Sequence, residues 1–213
     1  MLGYGVMAIV LIKLGHFFQD KVALRKVSLH DEIVKGNATA ALIDFGHVVS
    51  VAIVIRSALF WVATEGWHGI PIVIAAFAIG SIAMLLISQY RVQLFKRTNR
   101  SGDCLQQAVI DGNLAVGIRY AGFLVGSALA LTAASGIAPY AADNIVASLG
   151  YWALSAAVSL VAFILLHLVT IKIILSGCDI SDEVNRQKNV GVAAISAAIS
   201  FAIGSTMATL LGA

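Results

Sequence analysis

The chain has 213 residues, of which 60% are hydrophobic and 12% are charged, and its formal net charge is +3. Soluble domains average about 45–50% apolar and about 25% charged residues, so this composition excludes an ordinary soluble domain and indicates a membrane protein. Nucleic acid is not expected as a partner, because the basic residues follow the pattern of a membrane topology.

Six apolar runs reach or approach the roughly 20 residues that a helix needs to cross about 30 Å of hydrocarbon. They cover residues 1–19, 38–63, 69–90, 113–135, 145–171 and 190–212. Helices are expected because a lipid-exposed strand would leave its backbone groups without hydrogen bonds. The first run lacks the basic start and cleavage site of a signal peptide, so we expect it to be retained. The sequence predicts an all-α membrane protein with six transmembrane helices.

Lysine and arginine concentrate between the first and second, third and fourth, and fifth and sixth runs. The positive-inside rule therefore predicts that these three basic loops are cytoplasmic and that both termini lie outside. All three tryptophans lie near the opposite ends of the runs, where an interfacial aromatic belt is expected: Trp61, Trp67 and Trp152.

An internal repeat emerges when Asn37, Asn113 and Asn189 are aligned, because they are 76 residues apart both times. Small residues then coincide at two further positions that suit close helix packing: Gly46, Gly122 and Ala198, and then Ser50, Gly126 and Ala202. This predicts three tandem two-helix repeats, at 1–68, 69–144 and 145–213, in one integral membrane domain. Each repeat holds two spans, so all copies have the same orientation, and we expect them to surround an axis along the membrane normal.

A Gly-Asn pair precedes the second helix of the first two repeats. Gly36 and Gly112 can end a short surface helix in a left-handed conformation, and the following asparagine can cap the membrane helix. A turn that contacts a ligand is the alternative. The third copy has Lys188 in place of glycine, which predicts a continuous, bent helix there.

Polar side chains within the runs form a predicted layer on the cytoplasmic side: Lys13, His16, Asp44, His47, Gln89, Arg119 and His167. Asp44 follows Asn37 by seven residues, so it lies about 10 Å deep and is too short to reach the headgroups easily. Such residues are candidates for function. Three interpretations stay open: an Asp44–Arg119 ion pair that docks the first two repeats, a polar path for protons or small ions, and unrelated single residues.

The sequence pattern D-E-x-x-x-G-N-x-x-A-A-x-x-x-x-G, followed by a small-residue helix, resembles the domain-of-unknown-function 350 family of bacterial inner-membrane proteins. Residues 31–59 resemble it best, 107–135 nearly as well and 182–211 in degraded form. The resemblance implies repeated hairpins and a location in the bacterial inner membrane. It implies no catalytic residues.

Enzyme activity is not expected, because the chain has no HExxH, GxSxG or Walker A motif and no large extramembrane domain. The histidines lack ligand-like spacing, so neither a metal nor a cofactor is expected. Two function classes remain. One is passage of an ion or small solute through an oligomeric or repeat-built bundle. The other is a non-transporting scaffold or stress-response component whose basic loops bind lipid or a cytoplasmic protein. The small-residue faces can serve packing within the chain or contacts between copies. Six thin spans with little extramembrane mass favour a homo-oligomer.

Overall fold

Helices make up the described part of the chain. The computed structural model describes the backbone of residues 2–23, 27–99 and 104–212, with side chains except at 2–4, 16, 18–23, 63 and 64. The long helices are α1 (Leu2–Ala23), α3 (Ala38–Trp61), α4 (Ile70–Thr98), α6 (Leu114–Ile137), α7 (Ile145–Ile174) and α9 (Val190–Leu211). Between them lie the short helices α2 (Leu29–Val34), α5 (Leu105–Ile110) and α8 (Ile180–Asn185), and two 3₁₀ segments, Ala63–Gly69 and Ala142–Asn144.

Five helical segments are long and apolar enough to cross a membrane: Ala38–Trp61, Glu65–Thr98, Leu114–Ile137, Ala142–Ile174 and Val190–Leu211. The all-helical membrane-type fold is therefore confirmed. Helix α1, the first predicted span, is not among these five; its side chains are described only at 5–15 and 17, and Gly5–Gly15 form an apolar helical stretch.

Helix α6 lies at the centre of the packing. It packs most extensively against α9 and α3, and it also contacts α7. A second row is formed by α1, α4 and α7, in which α4 contacts both of the others. Within the described residues α3 and α9 do not pack side by side, so α3, α6 and α9 lie in a row with α6 in the middle. The expected arrangement around a common axis is therefore wrong for this chain.

Small residues allow the central helices to come into backbone contact. A Cβ on Gly46 of α3 would lie 2.8 Å from the Cα of Ala121 on α6. Gly122 meets Ala197 of α9 in the same way, and Gly126 meets the backbone of Ser200 and Gly204. Ser50 is buried and donates its hydroxyl hydrogen to the Gly46 carbonyl at 2.6 Å. Ala198 and Ala202, the third copy's counterparts, are exposed on α9.

Candidate functional site

Three asparagines lie at the N-termini of α3, α6 and α9. Asn37 Oδ1 accepts hydrogen bonds from the backbone N–H groups of Thr39 and Ala40 at 3.0 and 3.2 Å. Asn113 and Asn189 cap α6 and α9 equivalently, by accepting from Val116 and Val192. A side-chain oxygen satisfies one of the N–H groups that a helix start leaves unpaired, which explains why asparagine stands at each position.

The amide nitrogens of two of these asparagines reach the short helix of the following hairpin. Asn37 Nδ2 donates to the carbonyl oxygen of Val109 in α5 at 2.7 Å. Asn113 Nδ2 donates to the carbonyls of Val184 and Asn185 in α8, both at 3.1 Å. Asn189 Nδ2 instead donates to Glu183 Oε2 at 2.8 Å, within its own hairpin. These junctions lie at one end of the bundle, called here the junction end.

The turn before each asparagine is left-handed. Gly36 and Gly112 have φ values of +85° and +66°, a region that glycine enters without steric cost. Lys188 also has a positive φ, of 53°. The predicted continuous helix is therefore wrong: α8 ends at Asn185 and α9 begins at Val190. The hydrogen bonds of the junction hold the turn although a side chain there is unfavourable.

A buried polar cluster lies inside the helices toward the junction end. Its members come from all of the long helices except α1: His47, Ser88, Arg91, Arg119, Tyr120, His167, Ser196 and Ser200. All are buried except Arg119, which is half-buried. This set is called the polar cluster below.

Ring contacts and hydrogen bonds join members of the cluster on different helices. The rings of His47 and Tyr120 meet edge to face, with centroids 5.8 Å apart, and so join α3 to α6. His167 Nδ1 lies 3.2 Å from Ser200 Oγ. The guanidinium carbon of Arg91 lies 4.4 Å from the ring centroid of Phe123, a favourable cation–π geometry.

The predicted polar layer is only partly brought together. His47, Arg119 and His167 belong to the polar cluster. Asp44 and Gln89 are half-buried, and Lys13 is exposed on α1. The side chain of His16 lies outside the described residues. Among the ion pairs of the described residues, none joins Asp44 to Arg119.

Arg91 is the main residue that sequence reasoning missed as a site residue. The third predicted apolar run, 69–90, ends before this arginine, so the sequence places Arg91 in the following basic loop. Helix α4 continues to Thr98, so Arg91 lies about 10 Å inside the helix end, at a depth similar to that of Arg119. The available signal was the Tyr90-Arg91 pair, which has no acidic residue within one helical turn on either side.

Arg91 and Arg119 line one small cleft between the long helices and the junction end. Its other lining residues are Phe95, Leu105, Val116, Tyr120, Val184 and Asn185. Arg91 is only 9% exposed, and the Nε atoms of both arginines are enclosed without a hydrogen-bond partner. The volume of the cleft is about 10 Å³, which is about the minimum that holds one water molecule. The cleft is called the arginine cleft below.

Comparison with known families places the chain. The model of the Domain of Unknown Function DUF350 matches residues 1–101 and again residues 64–211. The chain belongs to the DUF350 family. No curated protein and no solved structure matches it. The family description gives no activity, so function in this DUF350 protein has to be argued from its own residues.

The chemistry of the cluster in this DUF350 protein is cationic and hydrogen-bonding. Among the described residues, no group of three or more His, Cys, Asp or Glu side chains could hold a metal ion. Two guanidinium groups, by contrast, share one cleft with a phenol. A guanidinium keeps its charge under all ordinary conditions and offers several N–H donors. The cluster therefore offers positive charge and N–H donors in surroundings that are mostly apolar.

Proposed function

We propose that this DUF350 protein is a multi-pass protein of the bacterial inner membrane in which the polar cluster forms part of a path for an ion or small solute. It carries out no enzymatic reaction in this proposal. The observation that carries the proposal is the burial of Arg91, two histidines and several hydroxyl groups within membrane-type helices, next to the half-buried Arg119. Buried polar and ionisable groups are costly in hydrocarbon, and they commonly mark substrate or ion pathways.

The proposal includes three tandem hairpins with six spans. It is supported by the recurrence, at a spacing of 76 residues, of the left-handed turn, the asparagine cap and the hydrogen bond to the following short helix. The double match of the family model supports it as well. Helix α1 is the proposed sixth span, because its 22 residues give a length of about 33 Å and it packs on both α3 and α4.

The proposed orientation has the junction end in the cytoplasm and both termini outside. Exposed basic residues lie at this end, among them Lys35, Lys96, Arg97 and Arg186. Trp67 is exposed at the opposite end, between α3 and α4, whereas Trp61 and Trp152 pack together inside the bundle near that end, with ring centroids 5.7 Å apart. Basic residues favour the cytoplasmic side and tryptophans favour the interface, so the two signals agree.

A homo-oligomer is part of the proposal, and α9 supplies the surface that supports it. Six positions of α3, 39, 43, 46, 50, 54 and 57, are buried, and those of α6 at 115, 119, 122, 126, 130 and 133 are buried or half-buried. The six counterparts on α9 are all exposed: Gly191, Ile195, Ala198, Ala202, Thr206 and Thr209. The face that packs on the next helix twice within the chain is thus available for a second copy.

Pairing of two α9 helices is favoured over a continued row of chains. In a row, the α9 face of one copy would pack on α3 of the next copy. Within the chain, the equivalent contacts are made on Ala121 of α6 and Ala197 of α9. In α3 this position is Phe45, which is 60% exposed and too large for a close approach. Two α9 helices can instead meet through Ala198 and Ala202, which have the small-xxx-small spacing of parallel membrane helix pairs.

The alternative function is a scaffold that binds anionic lipid or a cytoplasmic protein through the basic loops. Exposed Lys96 and Arg97 at the end of α4 favour it. Other basic side chains are already paired: Lys35 with Glu32 at 2.7 Å, and Arg186 with Asp182 through two nitrogens. The hydrogen bond from Lys35 also lowers the pKa of Glu32. Part of the positive charge is therefore neutralised locally, which weakens the alternative.

Flux measurements on purified protein in liposomes test the proposed function. Proton, potassium and chloride flux are compared between wild type, Asp44→Asn, His167→Asn and Asp143→Asn. Asp143 is exposed beyond the opposite end of α6, so its variant controls for the loss of a carboxylate outside the membrane layer. We expect flux in wild type and in Asp143→Asn. In Asp44→Asn, His167→Asn or both, we expect about tenfold lower flux, because a buried group that loses its hydrogen-bond partner is destabilised by about 1–3 kcal/mol. Absence of flux for all three ions in wild type would refute passage and favour the scaffold.

A further inference from the structure

We propose that Arg91 and Arg119 bind one small inorganic anion, of the size of chloride, in the arginine cleft. The inference names a ligand for the polar cluster and in that sense rests on the proposed function. Anion binding can nevertheless be measured without any transport, so the two can fail separately.

Two donors of the cleft have no hydrogen-bond partner among the described residues. Arg91 is buried to more than nine-tenths, and neither its Nε atom nor that of Arg119 has a hydrogen-bond partner. A buried donor without an acceptor is unfavourable, and more so when it carries charge. An anion in the cleft would accept hydrogen bonds from both guanidinium groups.

No carboxylate is among the described residues that line the cleft. No ion pair of the described residues involves Arg91 or Arg119. Three carboxylates of the junctions have other partners: Glu32 binds Lys35 and Asn37, Glu183 binds Asn189, and Asp182 binds Arg186. Two positive charges that share one buried cleft repel each other. An anion between them would turn this repulsion into two attractions.

The remaining groups of the cleft complete the site. The Phe123 ring covers one face of the Arg91 guanidinium, which leaves the N–H edge available. The Tyr120 hydroxyl lines the same cleft and can donate to an anion. Asn185 Nδ2 donates to Ser181 at 3.1 Å, so its Oδ1, which has no partner, is the atom available to accept from a guanidinium.

Size and position favour a small anion from water over a lipid headgroup. The cavity volume of about 10 Å³ is about the minimum that holds one water molecule, so larger oxyanions require side-chain movement. The lining includes Leu105 of α5 and Val184 of α8, so the cleft faces the short helices of the junction end. A free anion can therefore enter from the aqueous side.

The site occurs once in the chain. The repeat positions of Arg91 hold Gly15 and His167, and those of Arg119 hold Ile43 and Ile195. No other copy combines two arginines, so we expect one anion for each chain. The isoleucines also show that this helix position accepts an apolar side chain, which makes Arg119→Ile a variant expected to fold.

Thermal unfolding of the purified full chain in a neutral detergent tests the proposal. The unfolding temperature is followed while chloride replaces gluconate at constant ionic strength, because a ligand that binds only the folded state raises this temperature. Parallel titrations use inorganic phosphate and mixed micelles containing phosphatidylglycerol. The variants are Arg119→Ile, Arg91→Gln and Tyr120→Phe. Arg56→Gln is the matched control, because Arg56 also lies in a long helix with its guanidinium over a ring, that of Phe60 at 5.1 Å, but outside the cleft.

We expect wild type to be stabilised by chloride in a saturable way. The apparent dissociation constant should rise about tenfold or more in Arg119→Ile and Arg91→Gln, should rise less in Tyr120→Phe, and should stay unchanged in Arg56→Gln. Equal responses to chloride and gluconate in wild type, or an unchanged response in both cleft variants, would overturn the proposal. Stabilisation by phosphatidylglycerol alone would also overturn it and assign the cleft to a lipid headgroup. Anion binding without flux would leave the site intact and refute only the proposed passage.

Discussion

The side-chain amide of Asn37 donates a hydrogen bond to the carbonyl oxygen of Val109 at 2.7 Å. The oxygen of the same amide caps α3, so one side chain begins a long helix and ties it to the short helix of the next hairpin. Asn113 does the same between α6 and α8. Because aspartate has no amide donor and serine has only one hydroxyl, asparagine is the short side chain that suits both tasks.

Replacement of Asn113 by alanine should destabilise the protein more than loss of a helix cap alone. Asn113 is buried, and it both caps α6 and donates to two carbonyls of α8. We expect a decrease of about 2–4 kcal/mol in the free energy of unfolding, from the cap and from the carbonyls left without a donor. The measurement is chemical unfolding in detergent.

The control for this prediction is Asn144→Ala. Asn144 caps α7 by accepting from Ala147 at 3.1 Å in an exposed position, and its described hydrogen bond stays within its own helix start. Its loss should cost only about 1 kcal/mol. If the two variants lost the same stability, the hydrogen bonds between hairpins would contribute nothing measurable.

Lys188→Gly should stabilise the protein. Lys188 adopts a φ of 53° at the position where the other two copies have glycine. A left-handed conformation costs an ordinary residue about 1–2 kcal/mol, while glycine gains some conformational freedom in the unfolded chain, so the net gain should be about 0.5–1 kcal/mol. The converse change, Gly112→Ala, should destabilise, and both are measured by thermal unfolding. A loss of stability in Lys188→Gly would indicate that the lysine side chain makes a compensating contact.

The helical class and the register of the repeated features follow from the sequence because both depend on local chemistry. Apolar runs of about 20 residues specify helices in a bilayer, and a Gly-Asn pair specifies a stop followed by a start. Packing between copies is not local. Nothing in the spacing of Gly46, Gly122 and Ala198 distinguishes three hairpins around an axis from three in a row, since either arrangement uses the same small residues.

The candidate site was predicted in part for a similar reason. Asp44 and Arg119 have similar predicted depths, which is why the sequence suggests an ion pair between them. Depth does not determine the direction in which a side chain points. Arg91 directly follows the predicted run 69–90, and a charged residue after an apolar run usually marks the end of a span, so the sequence places Arg91 in a loop. Helix α4 instead runs 29 residues to Thr98, and only tertiary packing encloses the arginine within it.

Gly46→Ala should destabilise the contact between α3 and α6. The new Cβ would lie 2.8 Å from the Ala121 Cα and 2.9 Å from its Cβ, and a backbone cannot move aside as a flexible side chain can. Overpacking of this kind costs about 1–3 kcal/mol. Gly150→Ala in α7 is the control, because nothing lies within 4 Å of the added carbon. It should be neutral or stabilising by up to about 1 kcal/mol, owing to the helix propensity of alanine. Equal unfolding temperatures for the two variants would contradict the backbone contact.

Ala202→Leu should weaken self-association without weakening the fold. Ala202 is exposed on α9, so a larger side chain meets no described neighbour within the chain and should change the free energy of unfolding by less than about 0.5 kcal/mol. In a pair of α9 helices the same leucine would separate two backbones that small residues bring together. We expect the dissociation constant of the dimer to rise about tenfold, as measured by mass in detergent and in nanodiscs over a range of protein-to-lipid ratios. The matched control is Ala157→Leu, which adds the same bulk to an exposed position on α7. Two results would contradict dimerisation through α9: a wild type that is monomeric at every ratio, or a dimer that both variants weaken equally. In either case the α9 face would behave like the rest of the lipid-exposed surface.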